Sequence, residues 1–314
     1  MQFGARSLRN PSWTRTGVVG QYSDGNPHAD LYRFLELVTD VHRHLNVGYS
    51  RVHHVHLHPS THLRLIDRLG DGLLAQLHST NGHRAAPERL LDIGAGRGGA
   101  ALRARSRYGW RVTGVDFCPN NARVATANAR AAGVWPAVRF LLADAHTLPV
   151  AAGSFRLAWS IEAPAHFADK GVFLDEAARV LAPGGALAFC DLLAVWPAVA
   201  ASRADRAAYE RFLEVWDVPY LESRDSYVDA LRRAGLELRR SEIVTRRNLD
   251  ILRRWCGTFL HVSRVPRLYH ALRGPVERRT GANLDHVLDH VRRSHDALSR
   301  GLIDYGLFWA LRRV

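Results

Sequence analysis

The chain has 314 residues, 47% hydrophobic and 23% charged, the balance of a folded protein large enough for one big domain or two small ones. No run approaches the ~18 consecutive apolar residues of a membrane span, and residues 1–26 lack the apolar stretch of a secretory signal. The formal charge is +13, but the arginines spread along the chain without interleaved aromatics and Lys170 is the only lysine, so no nucleic-acid partner is expected.

Cys118, Cys190 and Cys256 are odd in number, scattered, and form no C-x-x-C pair. A reduced, cytoplasmic protein without a disulfide framework or cysteine zinc site is expected.

Residues 1–27, rich in Gly, Ser, Asn and Pro, read as a disordered tail. Over 28–45, Leu31, Phe34, Leu35, Leu37 and Val38 recur at helical spacing. A second helix is predicted to start at Ser60 or Thr61, either as N-cap after Pro59, and to bury Leu63, Leu65, Ile66, Leu69, Leu73 and Leu74. Residues 28–85 thus form a helical lead-in. Between its helices, "RVHHVHLHPSTH" carries His53, His54, His56, His58 and His62. In an extended chain, His54, His56 and His58 share a face at a spacing compatible with a metal. No acid lies between Asp40 and Asp67, so the run reads as a polar loop and no metal is assigned.

From residue 89 the pattern changes. "RLLDI" reads as a buried strand, followed by the turn "GAGRGG", a helix over 100–107, the strand "WRVTGV" and a helix over 120–132. "VRFLLA" and "FRLAWSI" are further strands. Phe173, Leu174, Ala177, Val180 and Leu181 share a helix face that Pro183-Gly184-Gly185 is predicted to terminate, and "ALAFCDLL" is a fifth strand. Such alternation marks a parallel α/β sheet covered on both faces. After Asp191 it stops. Residues 197–235 and 248–300 read as helical, "LELRRSEIV" as a sixth strand, and "GLIDYGLFWAL" as a final edge strand.

Gly94, Gly96 and Gly99 spell G-x-G-x-x-G, which alone is weak, because any nucleoside ligand needs the same close backbone approach. Three acids narrow it. Asp92 stands two residues before the first glycine, where dinucleotide sites usually carry an apolar residue. Asp116 ends the second strand, placed to accept from both ribose hydroxyls, and Asp144 follows the third, placed to accept from an adenine amino group. Acids after consecutive strands suit an adenosine without phosphates.

"LLDIGAGRGG", "VTGVDFCPNN", "LLADAHTLP" and "RVLAPGGALAFCDLL" resemble, in order and over 89–192, the successive motifs of class I S-adenosylmethionine-dependent methyltransferases. The resemblance implies a Rossmann-like α/β fold, with a seven-stranded mostly parallel sheet flanked by helices. It implies a helical lid over 28–85, a cofactor-binding core over 86–196, and a helical cap with the last strands over 197–314. The cofactor implied is S-adenosylmethionine. Asp92, Gly94 and Gly96 would line its methionine part, Asp116 with Phe117 the ribose, and Asp144 with Ala145 the adenine. "LYRFLELVTDVHRHLNVGYS" is similar to the lid of the group acting on sarcosine, tocopherols and natural-product sugars, with Tyr49 matching its tyrosine.

The segment "WSIEAPAHF" distinguishes subclasses. It lacks the Pro-Pro-aromatic element with which nucleic-acid amino-methyltransferases grip a flipped base. It resembles small-molecule enzymes, departing from them at Pro164 and at Ala165, where relatives often carry a second histidine. An alcohol or phenol acceptor needs its proton removed, for which His166 is suited. Asp191, at the end of strand five, is predicted to orient it, and Glu162 to play a structural or cofactor-side role. The expected activity is methylation of a small-molecule hydroxyl in natural-product biosynthesis. N- or C-methylation and, further off, RNA stay open as alternatives. The oligomeric state is also open, a homodimer being one candidate.

Overall fold

Short apolar runs punctuated by glycine turns build β1 (Arg89–Ile93), β2 (Arg111–Asp116), β3 (Val138–Leu142), β4 (Phe155–Ile161), β5 (Leu181–Ala194), β6 (Leu236–Ile243) and β7 (Ile303–Arg312). The computed structural model describes residues 9–10, 12–15, 19, 29–35, 59–78 and 88–313. Among them these strands form one sheet in the order β3-β2-β1-β4-β5-β7-β6. The first five are parallel, and β7 runs antiparallel to both its neighbours.

The final strand is therefore interior, not the predicted edge. Its residues from Tyr305 to Leu311 are all buried, so it needs a neighbour on each side and helices on both faces. The edge falls to β6, whose Glu237, Arg239 and Arg240 suit a strand with one open side.

Helices cover the sheet as α1 (Ala29–Leu35), α2 (Pro59–His78), α3 (Gly99–Tyr108), α4 (Pro119–Ala131), α5 (Lys170–Val180), α6 (Trp196–Val199), α7 (Arg203–Val215), α8 (Arg224–Arg233), α9 (Thr245–Ser263), α10 (Pro266–Thr280) and α11 (Leu284–Ser299). On one face, α2, α3 and α7 bury Leu65, Leu69, Ala101, Tyr209 and Phe212 against Leu90, Trp159 and Trp309. On the other, α5 and α8 bury Phe173, Leu174, Tyr227 and Leu231 against Leu91, Phe189 and Phe308. Each buried Leu or Phe among them contributes about 1.5–3 kcal/mol. A smaller cluster joins Leu31 and Phe34 of α1 to Cys256 of α9 and Val287 and Val291 of α11.

Two local expectations are corrected. The helix α2 starts at Pro59 itself, not after a cap at Ser60 or Thr61; proline's fixed φ and missing N–H suit the first helical turn. The helix α5 ends at Val180, before Pro183-Gly184-Gly185, which lies within β5 where the register against β4 shifts between Phe155 and Leu157. Within residues 1–27, one described residue is anchored to the body of the chain. Asn10 is buried, its amide donating to the Pro219 carbonyl (2.8 Å) and its side chain to that of Leu213 (3.2 Å).

Strand order reverses between β1 and β4. A crevice opens there, outside the carboxyl ends of the strands, where doubly wound folds bind ligands. The hydroxyl of Ser160 donates to the Ile93 carbonyl at 2.7 Å and ties these two strand ends together.

Candidate active site

The crevice is an open cleft of about 400 Å³, part of that space being bulk solvent, with Gly94, Asp116, Phe117, Asp144, Ala145, His146 and His166 among its walls. Its floor is the glycine turn. Gly94 and Gly96 have φ of 75° and 53°, and the amides of Gly94 and Ala95 both donate to the Val115 carbonyl at 2.9 Å. A Cβ at Gly94 would stand 2.2 Å from that of Ala163. Gly94→Ala is therefore expected to lose about 2–4 kcal/mol, combining left-handed strain and overpacking. Urea unfolding checks this; an unchanged midpoint would mean that the turn tolerates a side chain.

The three acids sit on successive strand ends. Asp92, near the end of β1, is buried, and its Oδ2 makes no hydrogen bond among the described residues. Burial pushes its pKa up to about 7; the Trp159 indole works the other way and the nearby charge of Asp116 adds to the rise. Asp116, the last residue of β2, accepts from the Gly96 amide at 2.8 Å through Oδ2, and through Oδ1 from the Cys118 amide at 2.9 Å and the Asn121 amide side chain at 3.4 Å. Burial raises its pKa too, opposed by those donors. Asp144 uses Oδ1 to accept from both the amide (2.9 Å) and the ring Nδ1–H (2.6 Å) of His146. The His146 Nε2 then accepts from the Asp169 amide at 3.1 Å. Burial opposes the Asp144 charge, but His146 and then Arg15 hold its pKa below the usual carboxylate range.

His166 closes the short 3-10 turn Pro164–His166 after β4. Its Nδ1–H donates to the Asp217 backbone carbonyl at 3.3 Å. A carbonyl can only accept, so Nε2 is the unprotonated nitrogen, as a general base requires. Burial lowers the ring's pKa to about 4, the Asp217 bond opposes this, and the positive charge of Lys170 adds to it. The predicted contact with Asp191 is not formed. Asp191 is fully buried and accepts instead from the Tyr227 hydroxyl at 2.5 Å and the Leu192 amide at 2.9 Å. The orienting role expected of a carboxylate is filled by a carbonyl.

With this geometry in view, residues 91–189 match the family model for a methyltransferase domain. Those residues are a methyltransferase domain. It is 40% identical over 161 residues to 27-O-demethylrifamycin SV methyltransferase of Amycolatopsis mediterranei (strain S699), covering 51% of this chain and 58% of that protein. It is 34% identical over 174 residues to methyltransferase GfsG of Streptomyces halstedii, covering 55% and 59%. The chain thus spans little more than half the length of these curated relatives. The solved structure of the cyclopropane synthase MmaA2 from Mycobacterium tuberculosis shares the fold, with a TM-score of 0.73 over 96% of this chain and 100% of that chain at 16% identity.

S-adenosylmethionine, the cofactor of this methyltransferase class, fits the residues present. A buried carboxylate oxygen without a partner, at Asp92, is what an ammonium group needs. Gly94, which has no room for a Cβ beside Ala163, brings bare backbone to the cavity wall, where Asp116 and Asp144 also stand, while Asp92 and Gly96 lie behind it.

The domain also holds residues that sequence reasoning missed. Trp13 and Arg15 reach the cavity from the N-terminal segment, and an Arg15 guanidinium nitrogen lies 2.8 Å from the Asp144 Oδ2; nothing in the local pattern signals this. His146 was findable, since Asp-x-His lets one residue's amide and ring both reach the carboxylate. Glu162 has φ 55° and accepts from the Tyr305 hydroxyl, which places it beside the sheet end and off the cavity wall. Tyr49 and the run His53–His58 lie outside the described residues. Among those described, no group of three or more His, Cys, Asp or Glu is placed to hold a metal.

Proposed function

We propose that this methyltransferase domain transfers the methyl group of S-adenosylmethionine to a hydroxyl of a small natural product, with His166 removing the hydroxyl proton. The observation that carries this reading is the fixed tautomer of His166, with Nε2 unprotonated on a residue of the cavity wall. The name of one relative, 27-O-demethylrifamycin SV methyltransferase, also places the transferred methyl on oxygen.

The bound cofactor supplies an electrophilic methyl on a sulfonium. The chain's own groups bind, orient and deprotonate. Asp92, with Gly94 and Gly96, takes the methionine end; Asp116 and Phe117 take the ribose; Asp144 and Ala145 take the adenine. Tyr49 of the N-terminal segment completes the cofactor side, while Glu162, tied to Tyr305, supports the end of the sheet. Helices of 197–235 and 248–300 form the acceptor side. His166 holds the acceptor oxygen and accepts its proton at Nε2 as the methyl moves, so that proximity lowers much of the barrier. No described helix is long and apolar enough to cross a membrane, and three buried free cysteines suit a reducing compartment, the cytoplasm.

The raised pKa of Asp92 gives cofactor binding a pH dependence. An ammonium ligand takes the ionised carboxylate, and below about pH 7 the free protein holds Asp92 protonated. The Kd is therefore expected to rise about tenfold per pH unit below that point and to level off above it. Calorimetry in buffers of different ionisation enthalpy should show proton release on binding. Asp92→Asn should bind weakly at every pH; a flat profile in the wild type would contradict the assignment.

The function itself is tested by incubating the protein with methyl-labelled cofactor, a metabolite extract and total RNA, followed by mass spectrometry. Label on the oxygen of a small molecule supports the reading; label confined to RNA, nitrogen or carbon overturns it.

A further inference from the structure

Lys170, the only lysine of the chain, lies fully buried at the first position of α5, four residues after His166. A cation in the first turn opposes the helix dipole, and a buried ammonium is costly unless its protons are used. Helix stability does not explain it. Its contacts do.

The Lys170 Nζ donates to the Phe167 carbonyl at 3.1 Å and the Ala165 carbonyl at 3.4 Å, the residues on either side of His166. It also stands 3.8 Å from the centre of the Tyr220 ring, whose hydroxyl accepts from the Lys170 amide at 3.3 Å. Tyr220 belongs to the same loop as Asp217, whose carbonyl receives the His166 Nδ1–H. One ammonium thus grips both the turn that carries the imidazole and the loop that orients it. From β5, Asp191 faces Lys170 and, with the Ala165 amide favouring its charged form, backs the same turn. The remaining charges that face the ammonium are Glu222, Asp169 and Arg9.

We propose that Lys170 is a positioning residue for His166, locking the Pro164–His166 turn to the Asp217–Tyr220 loop so that the imidazole keeps its Nδ1–H tautomer and presents Nε2 to the cleft. This inference rests on His166 acting as the base.

The test uses the full chain labelled with nitrogen-15 histidine. The His166 ring signals are assigned among the 17 histidines by their loss in His166→Ala, and turnover is followed as labelled product from the metabolite extract. In Lys170→Met the ring is expected to leave its single tautomer and to protonate at higher pH, because the neighbouring positive charge is gone. Turnover should fall about 10- to 100-fold, the scale of a misplaced catalytic group, with the cofactor Kd within about twofold. Lys170→Arg should restore part of the loss, since a guanidinium keeps the charge and donates to carbonyls. Should Lys170→Met fail to fold with Asp191 left uncompensated, the double variant Lys170→Met/Asp191→Asn and the milder Tyr220→Leu replace it, with the same expectations. Wild-type ring signals and turnover in the variant that folds, with His166→Ala inactive, would overturn the positioning role and leave the base intact. Unchanged turnover in His166→Ala would instead remove the base and, with it, this proposal.

Discussion

Asp116→Ala is expected to weaken S-adenosylmethionine binding by about 100-fold or more while the sheet and both main core clusters stay folded. Each hydrogen bond from a ribose hydroxyl to this carboxylate contributes about 1.5–3 kcal/mol, so losing two exceeds a factor of 100. Asp116 also accepts from the amides of Gly96 and Cys118, so the same substitution loosens the glycine turn that approaches the cofactor. Asp116→Asn is no cure. Its amide nitrogen would face one of two N–H donors, and one oxygen cannot serve both. Calorimetry measures the Kd, and circular dichroism checks that the variant is folded. A Kd within about threefold of wild type would show that Asp116 is a turn-stabilising residue and no part of the cofactor site.

His166→Ala is expected to lower turnover on a hydroxyl acceptor by about 10²–10⁴-fold, the usual range for a positioned general base, with cofactor affinity unchanged. His166→Asn keeps a donor for the Asp217 carbonyl but no basic nitrogen, so it should lose as much. The pH profile adds a signature. Burial holds the wild-type ring down near a pKa of about 4. Because the active form is neutral, kcat/KM for the acceptor, measured with the cofactor kept saturating at every pH, should stay flat from neutral pH down to about 5 and fall as the ring takes up a proton below that. An acid limb near the ordinary histidine value of about 6.5 would mean that the imidazole is solvated in the reacting protein. A wild-type rate in both variants would remove His166 from the chemistry.

The sheet was legible because its strands are short apolar runs set between glycine turns, and because Asp92, Asp116 and Asp144 fall at strand ends in the chain itself. The place of β7 was not. Sequence order says nothing of spatial order, and only the burial of both its faces, including Phe308 and Trp309, marks it as interior. The pairing of His166 failed for a related reason. Asp191 is near in the sheet, but its oxygens are satisfied by Tyr227 and Leu192, and the partner of the imidazole is a backbone carbonyl from a loop 51 residues further on. Side-chain patterns do not report backbone carbonyls. Lys170 stands out in sequence only as the single lysine; its meaning lies in burial, which only the fold supplies.

The most direct measurement follows the methyl carbon. The full-length protein is given carbon-13-methyl S-adenosylmethionine and the acceptor recovered from the labelling experiment, and the product is observed by carbon-13 NMR. An O-methyl resonance that appears in step with loss of the sulfonium methyl, and that His166→Ala slows while cofactor binding persists, is the expected result. A cofactor-saturated protein that leaves the methyl on sulfur, or that delivers it to nitrogen or carbon at a rate His166→Ala does not change, would contradict the account.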